Sequence, residues 1–340
     1  MEKTAVVILN FNGKNFLEKF VPVLVKNTPY ATLIIADNGS KDDSTEWVKN
    51  NYPSITILSL KKNYGFAEGY NRALSMIKGQ FKYYVLLNSD VEVTPEWLTP
   101  LHAVMEKNPD LAACQPKILS FRKKNVFEYA GASGGYIDQY GYPFCRGRIF
   151  ETLETDTGQY DNTTEILWAS GACLFVNAKI FHNLDGFDND FFAHMEEIDF
   201  CWRARNKGYK IMVEPKATVY HVGGGTLSNQ SPQKTYLNFR NNFYLLFKNL
   251  SPNNLVPIIG SRLVLDGIAG IKFLFNGNYY DTLAIIKAHF SFYSKIRVLM
   301  KKRKKLKPQK CKGIYKGNIV WEYYIKGNKK FSSLDEKKFT

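Results

Sequence analysis

Four short apolar runs rich in β-branched residues, at 5–10, 32–37, 55–60 and 83–88, alternate with stretches whose apolar residues recur at helical spacing. Leu17, Val21, Leu24 and Val25 form one such helix face, and residues 68–77 form another. Strands that are apolar at every position are buried on both faces, so the alternation predicts βαβ units around a parallel sheet. Ligand sites in such sheets lie beyond the C-terminal ends of the strands.

From about 125 to 165 the chain is rich in Gly, Tyr and Thr and loses clear periodicity, which predicts a long excursion over the sheet, with acceptor-binding loops placed there. A strand is predicted over 166–176, a turn at Leu184-Asp185-Gly186-Phe187, and a helix from about Met195 to Lys207, stopped by Gly208. Residues 255–275 approach a transmembrane span in length, but Arg262, Asp266 and Lys272 interrupt them. These three fall within about a third of the helix circumference, a polar stripe on an apolar helix that reads as interfacial. A second helical segment, 281–300, leads into ten basic residues with no acidic one between Lys295 and Lys312. The pattern divides the chain into an α/β unit at 1–250, an amphipathic membrane-associating region at 251–312 and a tail at 313–340.

The formal charge of +15 changes this picture through its distribution. Residues 1–254 carry 27 Lys and Arg against 26 Asp and Glu, while 255–340 carry 19 against 5. Polybasic stretches beside amphipathic helices are drawn to anionic lipid, so an anionic membrane surface is the expected partner of the last quarter. A helical subdomain packed on the core, with a solvated basic end, is the alternative. Nucleic acid is an unfavoured partner, because no nucleic-acid fold accompanies the basic run. At 45% hydrophobic residues the chain is neither disordered nor fibrous. Five widely spaced cysteines without zinc-ligand spacing fit a reducing cytoplasm, and the start of the sequence lacks a secretory pattern. The location expected is cytoplasmic, peripheral on the inner face of the cell membrane.

Candidate chemistry gathers at the predicted strand ends. Asp37, before Asn38-Gly39-Ser40, suits a hydrogen bond to a base N–H or ribose hydroxyl, or else an ordinary turn and helix cap. Asn88, Asp90 and Glu92 alternate after an apolar run and could share one side of an extended segment. A carboxylate there suits a divalent metal facing a diphosphate, and Asp90 lies too far before Pro95 to cap a helix. In Glu196-Glu197-Ile198-Asp199, Glu196, Asp199 and Arg203 share a helix face while Glu197 points about 100° away, free to act as a general base. A plain acidic first turn is the other reading. His221 precedes Gly223-Gly224-Gly225-Thr226, glycines that permit close approach to a diphosphate; the histidine is either ligating or structural.

Together these motifs resemble the family 2 glycosyltransferases of GT-A fold, and within them the bacterial rhamnosyltransferase-like group. The resemblance rests on residues 7–12, 36–40, 63–71, 87–90, 170–173, 186–188 and 196–203 and on His221-Val222-Gly223-Gly224, in the family's order. It implies a Rossmann-like mixed α/β sheet flanked by helices, the GT-A nucleotide-diphospho-sugar transferase fold, with a C-terminal amphipathic, basic helical extension. It implies a donor site at Asn10, Asn12, Asp37, Ser40, Asn63, Gly65, Asn71, Asn88 and Asp90, with Asp37 reading a pyrimidine base. Mg²⁺ or Mn²⁺ is then held by Asp90 with His221, and Glu197 or Glu196 is the base for inverting transfer. Trp168, Asp199 and Arg203 are acceptor-contacting or structural. The family's Asp-x-Asp motif reads Asn88-Ser89-Asp90 here, and its Glu-Asp motif reads Glu196-Glu197. The implied donor is a dTDP- or UDP-sugar, rhamnose or another hexose, and the acceptor a glycan, lipid-linked, in bacterial cell-surface polysaccharide synthesis. A catalytically inactive nucleotide-sugar-binding protein at the membrane is the alternative function.

Overall fold

The computed structural model describes residues 4–223, 231–309 and 311–339. Gly224, Gly225 and Thr226, whose approach to a diphosphate the sequence suggests, lie outside the described residues. The chain begins β1 (Thr4–Asn10), α1 (Lys14–Asn27), β2 (Thr32–Asp37), α2 (Ser44–Asn51), β3 (Thr56–Ser59), α3 (Gly65–Met76) and β4 (Tyr83–Leu87). It continues through β5 (Val91–Val93), α4 (Leu98–Lys107) and β6 (Leu111–Ser120). Next come β7 (Gly135–Asp138), β8 (Pro143–Cys145), β9 (Arg148–Ile149), β10 (Thr152–Leu153) and β11 (Thr164–Glu165). After β12 (Cys173–Asn177), α5 (Ala178–Asn183), α6 (Glu196–Asn206) and β13 (Lys210–His221), the chain is mainly helical. It runs through α7 (Pro232–Asn249), α8 (Pro252–Phe275), α9 (Tyr279–Leu306), β14 (Ile314–Tyr315) and α10 (Ile319–Tyr324).

Nine strands form the main sheet in the order β11-β13-β6-β12-β4-β1-β2-β3, with β5 pairing β13. The pairs among β3, β2, β1 and β4 are parallel, as the alternation predicts, and β12 enters antiparallel between β4 and β6, making the sheet mixed. Both faces are covered. Ala5 and Val7 pack with Ala67, Tyr70 and Leu74 of α3 on one side. Val6 and Ile8 pack with Leu17, Val21 and Leu24 of α1 on the other. Each such buried aliphatic side chain contributes roughly 1.5–3 kcal/mol, which fixes the strand register and therefore where the strand ends point.

Three expectations need correction. The strand predicted over 166–176 is β12 alone; 166–172 are buried without being a strand, because an apolar run signals burial more strongly than hydrogen-bond pattern. The excursion at 125–165 carries a second sheet, β10-β9-β8-β7-β14, whose strands of two to four residues are too short to show a period. The segment from 313 onward is no separate tail: β14 adds to β7, and Phe331 and Phe339 stack near Tyr136 and Phe144 in that sheet's core.

The region after 250 is also joined to the rest. α9 lies along α7, with Phe292 stacked on Phe243. Within the basic run, Lys302 pairs with Asp188 and reaches Asp190 at 2.6 Å, Lys305 reaches Asp185 at 2.7 Å, and Arg303 donates to the carbonyls of Phe247 and Leu250. In α8 two of the three residues of the polar stripe, Arg262 and Asp266, are buried against the protein, while Lys272 is exposed.

Candidate active site

Parallel strands set side by side bring Asn10 and Asp37 into register at the ends of β1 and β2. Asn10 is fully buried, and its Nδ2 lies 3.2 Å from Asp37 Oδ1, 3.1 Å from Ser40 Oγ and 2.8 Å from Ser44 Oγ. Ser40 Oγ accepts from the Asn12 amide at 2.9 Å, and Asn12 Oδ1 from the Lys41 amide at 2.8 Å. Asn38, a residue the sequence left unassigned, ties this corner to Asn63 at 3.1 Å and to the Gly65 carbonyl at 3.0 Å. Asn10 Oδ1 is buried without a partner, an acceptor suited to a base N–H. Asn71 lies elsewhere. Its amide clamps the Phe187 backbone from both sides, at 2.8 and 2.9 Å, and also reaches Asn189.

Asn88 and Asp90 follow β4, and β13 runs antiparallel to β5 so that His221 faces Val91. His221 Nε2 stands 3.1 Å from Asp90 Oδ1 and 3.5 Å from Asn88 Nδ2. Its Nδ1 stands 3.3 Å from Glu128 Oε2. Burial pulls the imidazole down, but the carboxylates of Asp90 and Glu128 outweigh this and hold it at about 10, protonated. Glu128 sits in the stretch without period, and nothing in the sequence singles it out. Glu92 does not join the site. The chain turns at Ser89-Asp90, and Glu92 pairs with Lys124 at 2.5 Å on the surface.

Asp90 therefore suits a metal as a single hard ligand, whereas His221 must first surrender its proton to ligate one. Among the described residues no group of three or more His, Cys, Asp or Glu is placed to hold a metal ion. A metal here leans on Asp90 and on the phosphates it would face.

Glu196 and Glu197 open α6, where the helix dipole favours acidic residues. Glu196 is buried, and burial with the neighbouring Glu197 pushes its carboxyl well above the ordinary range. Glu197 is half-buried; desolvation raises it to about 7, and backbone amides at the helix start draw it back. One oxygen of each carboxyl, Oε2, has no hydrogen-bond partner. Glu197 borders Gly171, where an added Cβ would come within 3.9 Å of it and 3.4 Å of Phe66. The next residue, Ala172, accepts the Asn88 amide at 3.0 Å. Segment 171–172 thus separates the two acidic centres.

The loop before α6 is strained: Phe192, His194 and Met195 all have positive φ, 64°, 70° and 70°. Asn241 of α7, fully buried, donates to the carbonyls of Phe191, Ala193 and His194, and Arg240 donates to those of Asp190 and Phe191. The Phe192 carbonyl in turn accepts the amides of Phe66 and Ala67 at the start of α3, at 2.9 and 3.2 Å. Asp199 and Arg203 are structural. Asp199 is bound by Arg203, Lys248 and Asn249, each at 2.8 Å, and Arg203 holds the carbonyls of Leu184 and Gly186. Trp168 is buried against Gly135 with its indole N–H on the Tyr136 carbonyl at 2.9 Å.

The fold has counterparts of known structure. The crystal structure of GalNAc-T7 with UDP, GalNAc and Mn2+ aligns with a TM-score of 0.57 at 15% identity, over 74% of this chain and 49% of that one. The mannosyltransferase PcManGT of Pyrobaculum calidifontis, in complex with GDP-Man and Mn2+, aligns with a TM-score of 0.51 at 12% identity, over 89% of this chain and 84% of that one. Both likenesses place the fold in the GT-A class. Among sequences, the N-acetylglucosaminyl-diphospho-decaprenol L-rhamnosyltransferase of Mycobacterium tuberculosis is 25% identical over 234 residues, 64% of this chain and 75% of its own length. Residues 5–181, more than half of the chain, match the model of glycosyl transferase family 2, so this chain is a glycosyltransferase and belongs to that family.

Proposed function

We propose that the chain transfers a hexose, rhamnose foremost, from a dTDP- or UDP-sugar to a hydroxyl of a lipid-linked glycan in bacterial cell-surface polysaccharide synthesis. It works at the cytoplasmic face of an anionic membrane. The observation that carries the reading is the pair of acidic centres on either side of segment 171–172: Asp90 with His221 on one side, Glu197 on the other. Glu197 takes the proton of the acceptor hydroxyl. The freed oxygen bonds to the anomeric carbon from the face opposite the diphosphate, and the carbon–oxygen bond to the nucleoside diphosphate breaks, its electron pair leaving with the phosphate and the anomeric centre inverting. Glu196, whose carboxyl is raised by burial and by the neighbouring Glu197, is the supporting member of the pair. Mg²⁺ or Mn²⁺ bound at Asp90 would neutralise charge on the leaving diphosphate. Asn10, Asn12, Asp37, Ser40, Asn63 and Gly65 line the nucleotide side, the buried Asn10 Oδ1 supplying an acceptor for a pyrimidine N–H.

The rhamnosyltransferase relative supports rhamnose and a diphospho-lipid acceptor, and the Mn2+ in the two aligned structures supports the cation. The test is Glu197→Gln with a panel of nucleotide sugars. Loss of transfer with nucleotide binding intact supports the assignment; near-normal turnover overturns it. A second reading, a nucleotide-sugar-binding protein without transfer, draws on the protonated His221 and the single carboxylate beside the metal position. Nucleotide affinity with neither transfer nor donor hydrolysis across the panel would select it.

A further inference from the structure

Helix α8 turns a charged pair inward while leaving much of its apolar surface outside. Arg262 and Asp266 lie one turn apart on the face toward the protein, 3% and 0% exposed, joined at 2.9 Å. His289 of α9 stands 3.4 Å from the other oxygen of Asp266, and the Arg262 guanidinium lies 3.8 Å from the centre of the Tyr142 ring. The opposite face presents Val256, Val264, Ile268, Ile271 and Phe275, the last 86% exposed. The first half of α9, packed beside α8, likewise exposes Tyr280, Leu283, Ile286 and Phe290. Where α7 begins beside α9, an open cavity of about 530 Å³ is lined by Tyr236, Tyr280, Leu283, Lys287 and Phe290. Contiguous apolar surface on this scale marks an interaction site.

Charge selects the occupant. Asp266 and Asp281 are the acidic residues of α8 and α9; the first is buried on Arg262, and the second binds Thr235 Oγ1 at 2.6 Å. The exposed charges are positive: Lys272, Lys287, Lys295, Arg297, Lys301 and Lys304. A second copy meeting this face two-fold would set like charge against like. An anionic bilayer complements both components, apolar side chains against acyl chains and lysines against lipid phosphates. Among the described residues no helix is long and apolar enough to cross a membrane, so the contact is made in the interface plane.

We infer that the outward face of α8 and the first half of α9 form a monotopic docking surface that inserts into an anionic bilayer, with the basic run in an auxiliary role. The inference rests on the proposed use of a membrane-borne acceptor and deepens it, because Lys302, Arg303 and Lys305 are engaged by the protein itself. The experiment is flotation of the full chain with phosphatidylglycerol-containing and pure phosphatidylcholine vesicles, at low and high salt. It compares wild type with Ile268→Asp/Phe275→Asp and with Lys301→Gln/Lys304→Gln, whose melting curves should match wild type. The expected result is binding weakened about tenfold or more by the aspartates, less by the glutamines, with much of the wild-type binding surviving high salt. Unchanged vesicle binding by the aspartate variant overturns the inference, and so does a change in its oligomeric state alone, which would assign the face to a second copy. Transfer to a short water-soluble acceptor is read in parallel. Its absence from wild type counts against the proposed reaction while leaving the vesicle result standing.

Discussion

Asn241 Nδ2 donates to the carbonyl oxygen of His194 at 2.7 Å, and the same amide serves the carbonyls of Phe191 and Ala193. One side chain on α7 thus holds three carbonyls of the four-residue stretch 191–194, just before the acidic pair. Asn241→Ala takes this donor from the carbonyls of Ala193 and His194, at about 1–3 kcal/mol each, while Phe191 keeps Arg240. The expected outcome is a fall in kcat of about tenfold or more, with a smaller loss of nucleotide affinity, because this amide reaches the Asn38 corner only indirectly, through the Phe192 carbonyl on α3. Steady-state kinetics paired with calorimetric nucleotide binding checks it; an equal loss in both would assign Asn241 a general folding role.

Glu197 titrates near 7, raised by burial, so transfer by the wild type should climb with pH through about 7 as the base ionises. Glu196→Gln should keep that limb, whereas Glu197→Gln should lose it with the activity. The stability consequence has the opposite sign. The folded state holds this proton more tightly than the unfolded chain, whose ordinary value is 4.5. Its contribution is fully present below 4.5 and is lost as pH rises to about 7. Wild type should therefore melt lower at pH 8 relative to pH 5 than Glu197→Gln does.

Asp90 is the carboxylate through which a cation would reach the donor phosphates. Asp90→Asn should abolish the gain in UDP or dTDP affinity produced by Mn²⁺, about tenfold or more, while metal-free affinity holds. A thermal-shift titration with and without Mn²⁺ reads this directly. A gain that survives in the variant would place the cation elsewhere.

Lys302 bridges Asp188 and Asp190 from the end of α9. Lys302→Ala should lower Tm by about 2–4 °C, and removal of 296–340 should lower it much further, since it also takes β14 from the second sheet. A truncated chain that melts with wild type would mean that these contacts contribute little.

The strands from β1 to β4 were legible because β-branched residues buried on both faces leave one reading, and Asn10, Asp37 and Asp90 follow from where those strands stop. The rest was illegible for identifiable reasons. Glu128 meets His221 from 93 positions away, and Asn241 meets the base loop from about 50, and neither spacing leaves a periodic trace. Asn71, Asp199 and Arg203 are polar residues among motif residues, yet their partners are backbone carbonyls and neighbouring charges that fix turns. In α8 the stripe of Arg262 and Asp266 was visible, but an isolated helix has no inside. Tyr142 and His289 decide which way it points.

The Phe192 carbonyl on the first amides of α3 has a consequence for both substrates. A helix N-terminus is a ready seat for phosphate, and here the protein's own backbone sits in it, leaving the Asp90 side to meet the donor's charge. The same two hydrogen bonds join the strained loop before Glu196 and Glu197 to the helix whose start, through Gly65, is held by Asn38. In the proposed reaction, a displacement of this loop when an acceptor arrives would be felt at the corner that holds the donor, so grip on one substrate and admission of the other would act through one lever.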